Sequence, residues 1–256
     1  MGEMNFDFQG NSKSNHAIKI MNRIEVPIYG DITDGKKDWW FDWAFKDPTG
    51  TNTHVVNGYN VLKAIQRVVP DIHSCSEYFG GAGVQALMCE ELFDLKEHLI
   101  GELSTVAFEH LKKLFREKKH VEIVYQDAYK VEIRPSDLII IDFPDCTLKR
   151  LMEDKQRELL DKCFATRPKA LVFTDVAGIR FGLQKARYSK MAGRELENYL
   201  DYLHFIVEKI KEFYGYNLVE CRYARFCSLF GFVAQDVGEG KFIEKMKDEK
   251  GLEILY

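Results

Sequence analysis

The segment Glu77-Tyr78-Phe79-Gly80-Gly81-Ala82-Gly83 holds the residues of this chain best suited to grip a ligand. Glycines let a backbone bend sharply and approach a bound group with no side chain in the way. Where such a turn leads into a helix, the first N–H groups of that helix face whatever fills the turn. Acids recur at the ends of later apolar runs: Glu102, Asp127 (followed by Ala128) and Asp142. One acid in such a place is an ordinary helix cap or solvated turn. Four of them in register, counting Glu77, are harder to explain as caps. In that register Glu102 could accept both hydroxyls of a ribose, and Asp127 could accept from the amino group of an adenine. Asp142 opens the run Asp142-Phe143-Pro144-Asp145-Cys146.

Two further stretches carry chemistry of a different kind. Arg180, Lys185, Arg187, Lys190 and Arg194 follow one another with no acid between Asp175 and Glu195, and Phe181, Gln184 and Tyr188 are interleaved. Read as a loop after the fifth strand, this stretch could hold phosphates while its aromatics stack on bases. The plainer alternative is a solvated basic loop. The knot Trp39-Trp40-Phe41-Asp42-Trp43-Ala44-Phe45 contains every tryptophan of the chain. It reads either as a plug over the core or as a pocket wall, with Trp39 and Trp40 as substrate contacts, since aromatic faces stack on bases.

These residues need elements to hold them. From Asn57 onward the chain becomes periodic. Val61, Leu62, Ile65, Val68 and Val69 share a helical stripe that Pro70 ends. Strands are predicted at 72–78, 98–103, 121–125, 138–141 and 170–174, and helices around 84–95, 108–115, 148–163 and 195–213. Two final strands, 218–223 and 226–233, form a hairpin. The alternation predicts an α/β domain with a mostly parallel sheet, and the hairpin adds an antiparallel edge. One domain is expected over residues 1–256, with the irregular residues 1–55 packing on it.

Composition narrows the function. The chain has 256 residues, 46% hydrophobic and 30% charged, with a formal charge of −4. That is a globular composition, not a polybasic binder, although a local basic face remains available. The longest aliphatic run, Leu138–Ile141, is too short for a bilayer, and Met1–Lys19 lacks the apolar core of a secretory signal. Six cysteines without a C-x-x-C pair read as free thiols in a reducing compartment, so a cytoplasmic protein without membrane contact is expected. Seven histidines show no ligand spacing, and no metal is expected.

The segment Glu77–Gly83 resembles the E-P-F-x-G-A-G motif of DNA adenine methyltransferases, within the class I S-adenosylmethionine-dependent methyltransferases, with Tyr78 in place of the proline. The resemblance rests on motifs between Ile72 and Asp145, and elsewhere on element order. It implies a Rossmann-like three-layer sandwich with S-adenosylmethionine as cofactor. It implies cofactor contacts from Glu77, Phe79, Gly80, Gly81, Gly83, Glu102, Asp127, Ala128 and Asp142. It also implies that Asp142, Pro144 and Asp145 face the target atom, with Phe143 beside the substrate. Amino-methylating members carry D/N-P-P-Y/F/W, where the acid and a backbone carbonyl hold the amine and the aromatic stacks on an extruded base. Here that aromatic is Asp145. Cytosine-C5 enzymes resemble the first motif too, but use a P-C dipeptide as nucleophile; Asp145 separates Pro144 from Cys146.

The expected activity is therefore methyl transfer to a nucleic acid, DNA before RNA. Arg180, Lys185, Arg187 and Lys190 would hold the strand. No separate recognition domain is visible, so specificity is low or comes from residues 1–55 or a protein partner. Two rivals stand beside it: a degenerate binding subunit on the same fold, suggested by Asp145, and a small-molecule methyltransferase, suggested by the acidic net charge.

Overall fold

Successive strand residues point to opposite faces of a sheet, so an unbroken apolar run fits only where both faces are covered. Leu138–Ile141 and Ala170–Asp175 are buried at every position. They lie at the centre of a three-layer arrangement. The computed structural model describes residues 53–81, 83–142, 151–152, 154–175, 181–223, 228–235 and 246–247. In chain order these form α1 (Thr53–Val68), β1 (Ser74–Tyr78), α2 (Val84–Leu92), β2 (Glu97–Glu102), α3 (Thr105–Leu114), β3 (Val121–Tyr125), β4 (Leu138–Ile141), α4 (Asp154–Ala165), β5 (Ala170–Asp175), α5 (Phe181–Ala192), α6 (Tyr199–Tyr214), β6 (Tyr216–Tyr223), β7 (Ser228–Ala234) and β8 (Met246–Lys247).

The eight strands run in the order β3-β2-β1-β4-β5-β7-β6-β8. The first five pair in parallel, and β7 is antiparallel to both β5 and β6. Alternation divides the core between the two faces. Leu138, Ile140, Val172 and Leu229 join the side chains of α1, α2 and α3. Ile139, Ile141, Phe173 and Phe230 join those of α4, α5 and α6. Helix α1 lies close on β7, where a Cβ at Gly231 would come within 2.7 Å of Val61. The chain winds outward from β1 through β2 to β3, then returns to place β4 on the other side of β1. Such a reversal opens a crevice at the carboxyl ends of the two strands, where open α/β sheets bind ligands.

The fold class is as expected from the sequence; two local expectations are corrected. The basic stretch after β5 is a helix, α5, from Phe181. Phe181 and Tyr188, two turns apart, are both buried and anchor one face of it, a signal masked by the polar residues between them. The helix expected from Glu195 begins instead at Tyr199. Gly193 takes φ 69° and breaks the helical path. Asn198 then caps the new helix, its side chain accepting from Asp201 N at 2.9 Å. The aromatic knot, with Trp39 and Trp40, and nearly all of the expected N-terminal extension lie outside the described residues. No helix among the described residues is long and apolar enough to cross a membrane.

Candidate functional site

The glycine turn sits at the carboxyl end of β1, beside the reversal. Gly80 N donates to Gly101 O of β2 at 3.1 Å, and a Cβ on Gly80 would overlap the Ile100 side chain. The turn is thus pressed onto β2. A Cβ on Gly83 would come within 2.9 Å of Leu111, so this glycine admits α3. Gly81 differs: its Cβ would meet only Phe79 O, at 3.9 Å, and its φ is 53°. That side of the turn is open to a ligand. Phe79 itself takes φ 68°, unusual for a residue with a side chain, and its ring lies edge-on to Tyr129 at 5.7 Å. Tyr78, in the place of the motif's proline, is fully buried, and its hydroxyl accepts from Arg134 N at 3.0 Å.

Three of the strand-end acids are held by specific partners. Glu102 Oε2 accepts from Gly81 N at 2.7 Å, while Oε1 accepts from Leu103 N and Ser104 N, each at 2.7 Å. A carboxylate offers about four lone-pair sites. Glu102 therefore keeps room for one more donor, and a second ribose hydroxyl would have to displace Gly81 N. Asp127 accepts from Tyr129 N at 3.1 Å and pairs with Lys130 at 3.1 Å; these two contacts hold its carboxyl below the usual range. Asp142 continues β4, with its N donating to Tyr78 O at 3.3 Å, and its side chain accepts from the Thr174 hydroxyl of β5.

Glu77 is the exception. It is 1% exposed, and its Oε2 has no hydrogen-bond partner. Burial, reinforced by the charges of Cys75, Asp142 and Glu102 against the opposing pull of His98, drives its carboxyl well above the ordinary value of 4.5. Asn57 Nδ2 of α1 and Gln85 Oε1 of α2 are also buried without partners. Gln85 lies against the residue next to Asn57, since a Cβ on Gly58 would come within 2.8 Å of its amide. Gln126 Nε2, pressed over Gly101 at the end of β2, is a fourth unmet atom. Buried polar groups are nearly always paired, so each unpaired one is a candidate contact for a ligand.

S-adenosylmethionine fits this set of groups. Glu77 offers an acceptor to a cation, Asn57 a donor to a carboxylate, Glu102 an acceptor to a ribose hydroxyl and Asp127 an acceptor to an amino group. Leu103 and Tyr129, both half-exposed beside these acids, offer apolar surface to a flat ring. Sequence reading missed Asn57, Gln85, Leu103 and Tyr129, because nothing in their own types or spacing marks them.

The acceptor side is described in part. Phe143, Pro144, Asp145 and Cys146 lie outside the described residues, as do Ala82 and Arg180. Thr174 and Asp175, at the end of β5, extend the series of strand-end polar groups beyond the four read from the sequence. Asp175 is fully buried and accepts from Tyr202 Oη at 2.9 Å and Tyr199 Oη at 3.3 Å. On α5, Leu183, Arg187 and Lys190 fall at spacings of four and three, which makes one outward stripe, and all three are exposed, Leu183 to 91%. Arg194 lies beyond the break at Gly193, where it pairs with Asp201 at 3.5 Å. Lys185 lies off that stripe and pairs with Glu195 at 3.5 Å.

No protein-family profile matches this chain, and no curated protein is similar to it in sequence. Solved structures are similar in fold. A candidate RNA methyltransferase of Pyrococcus horikoshii is 15% identical, with TM-score 0.53, over 88% of this chain and 96% of that one. Trm1 of Pyrococcus horikoshii, solved with S-adenosyl-L-methionine, is 12% identical, with TM-score 0.54, over 74% of this chain and 58% of that one. The N-methyltransferase NodS of Bradyrhizobium japonicum, solved with S-adenosyl-L-homocysteine, is 14% identical, with TM-score 0.51, over 82% of this chain and 99% of that one. The fold of this chain is that of the class I S-adenosylmethionine-dependent methyltransferases.

Proposed function

We propose that this chain is an S-adenosylmethionine-dependent methyltransferase whose acceptor is a nucleic-acid strand. The observation that carries the cofactor is the unpaired, buried carboxylate of Glu77 beside the open face of Gly81, at the reversal of the sheet. A buried carboxylate with no partner is costly in an empty site and favourable once a cation arrives. When bound, the cofactor supplies an activated methyl group on a sulfonium, so the protein has little covalent chemistry to perform. Its own residues bind, align and accept a proton. Glu102 and the Gly80–Gly81 backbone orient the ligand, and Thr174 fixes the Asp142 carboxylate at the end of β4. From there Asp142 holds an N–H or O–H of the acceptor.

The nucleic-acid part rests on α5, whose stripe Leu183–Arg187–Lys190 offers cations for phosphates beside an apolar contact. The likeness of Glu77–Gly83 to the adenine-specific motif favours an amine on DNA. The candidate RNA methyltransferase among the similar structures is in keeping with RNA, so both strands belong in the assay. The experiment is transfer of labelled methyl groups to DNA, RNA and a metabolite pool, followed by nucleoside mass spectrometry. Label in a nucleoside is the expected result. Replacing Arg187 and Lys190 by Gln should weaken strand binding and lower its salt slope by about one for each lost phosphate contact. Label confined to metabolites would replace the nucleic acid with a small-molecule acceptor. Tight cofactor binding with no transfer at all would leave a binding subunit.

A further inference from the structure

A carboxylate buried at the end of a strand is an expensive way to hold tyrosines in place, because it surrenders its hydration for a few hydrogen bonds. Asp175 is such a group. Its two tyrosine partners come from the start of α6, and Tyr199 Oη also lies 3.0 Å from Ser228 Oγ, the residue paired with Asp175 across β5 and β7. The rings close around this point. Tyr199 and Tyr202 stack at 5.5 Å between centroids, and Phe181, the first residue of α5, lies 5.7 Å from each. Tyr188, two turns along α5, lies 5.4 Å from Tyr202. β5, β7 and α6 thus meet in one hydrogen-bonded group at this carboxylate, and α5 packs its rings on the same two tyrosines. The preceding residue, Thr174, donates to Asp142.

Resting on the methyltransferase reading above, we infer that Asp175 is a positioning residue for the acceptor: it latches α6 to the end of β5, and with it α5, whose Phe181 and Tyr188 pack on the same tyrosine rings, so that a nucleic-acid strand gripped by the basic stripe is presented to Asp142. The physical basis is geometric. A network of satisfied buried polar groups selects one packing where apolar contacts alone allow several. Phe181 and Tyr188 hold α5 to α6 by packing, and the Tyr199 and Tyr202 hydroxyls on Asp175 tie α6 to the strand that carries Thr174. The spacing from stripe to Asp142 is then set by one short stretch of backbone. Electrostatic attraction of a strand does not need this latch; simultaneous contact of several cations with successive phosphates does.

The test measures a mixed-sequence 20-nucleotide RNA and its DNA equivalent by filter binding across a salt series. Cofactor affinity and melting temperature are recorded for every variant. Tyr199→Phe removes one hydroxyl from a partly exposed ring, and Asp175→Asn removes the charge. In both variants, strand affinity should fall about five- to tenfold and the salt slope should drop by about one, as fewer cations reach phosphates together. Cofactor affinity should stay within about twofold, since the cofactor residues lie on other strands. A lowered melting temperature with strand affinity and salt slope unchanged would make Asp175 purely structural and overturn the inference. Should Asp175→Asn fail to fold, Tyr199→Phe decides alone. Wild-type protein that binds neither strand, or whose binding ignores Arg187→Gln with Lys190→Gln, would overturn the nucleic-acid reading and the latch with it. Binding that responds to the stripe but not to the latch would remove the latch only.

Discussion

Glu77 and Glu90 are two enclosed carboxylates on the same face of the sheet, held in opposite ways. Glu90, near the end of α2, accepts from His98 Nδ1 at 2.9 Å, His120 Nε2 at 2.9 Å and Lys118 Nζ at 2.7 Å. Burial alone would raise its carboxyl, but these hydrogen bonds bring it down to about 2. Burial would likewise pull the His98 imidazole down, yet the neighbouring Cys75 and Glu90 push it up to about 10. This cluster lies at the amino ends of β2 and β3. Nearby, Asp137 accepts from His73 N at 2.8 Å and Ser74 N at 3.2 Å, and pairs with Lys169 at 3.3 Å. The amino edge satisfies its acids from within the chain. The carboxyl edge leaves Asn57, Glu77, Gln85 and Gln126 wanting partners. One edge meets the needs of its acids from within the chain, and the other leaves Glu77 Oε2 unmet.

Breaking the satisfied edge should have the largest effect. Glu90→Gln leaves a buried imidazolium without its counter-charge and should cost about 3 kcal/mol of stability, read from the urea midpoint. Cofactor affinity should not move while the variant is folded. At the other edge the loss falls on chemistry. Asp142→Ala should lower kcat by about 10²-fold or more with cofactor affinity retained, checked by single-turnover transfer. Glu77→Gln sharpens the contrast: S-adenosylmethionine binding should weaken by roughly 1–3 kcal/mol, while stability at neutral pH is kept or raised, since a neutral amide escapes the cost of burying the charge. Equal losses of stability in the two glutamine variants would erase the distinction between the edges.

The pH dependence of stability should separate the same two residues by sign. Glu90 has a folded value of about 2 against an ordinary 4.5, so its stabilisation is complete above 4.5 and is lost as pH falls towards 2. Glu77 is raised in the fold, so the folded chain binds the extra proton. Its stabilisation is present below 4.5 and is lost as pH rises through the elevated folded value. His98 behaves in the same direction, its contribution present below 6.5 and lost as pH rises through about 10. Urea melts across pH should therefore lose their acid-side slope in Glu90→Gln. In Glu77→Gln they should lose part of the decline above 4.5.

Much of this was legible in the residues. The unbroken apolar runs gave β4 and β5, and the strand-to-helix glycine turn with its following acids marked the crevice. Helix α5 was not legible, because Phe181 and Tyr188 stand two turns apart among cations and their partners, Tyr199 and Tyr202, come from the next helix. Asn57 and Gln85 were illegible for a similar reason. Each is an ordinary polar residue on a helix, and only the packing of α1 against α2 buries their amides. Asp175 ends a strand as Asp142 does, and the series of acids could have been carried one strand further. Its meaning lies in two hydroxyls that only the tertiary structure brings to it.

The central claim, that the unmet Glu77 Oε2 awaits the cofactor, is tested most directly by calorimetric titration of S-adenosylmethionine into the wild type, Glu77→Gln and Glu90→Gln. One site per chain in the wild type is predicted. Glu77→Gln should be weakened by about tenfold or more, as expected for loss of a charged partner, and Glu90→Gln should match the wild type. No binding to the wild type, or the same affinity in all three proteins, would contradict the account.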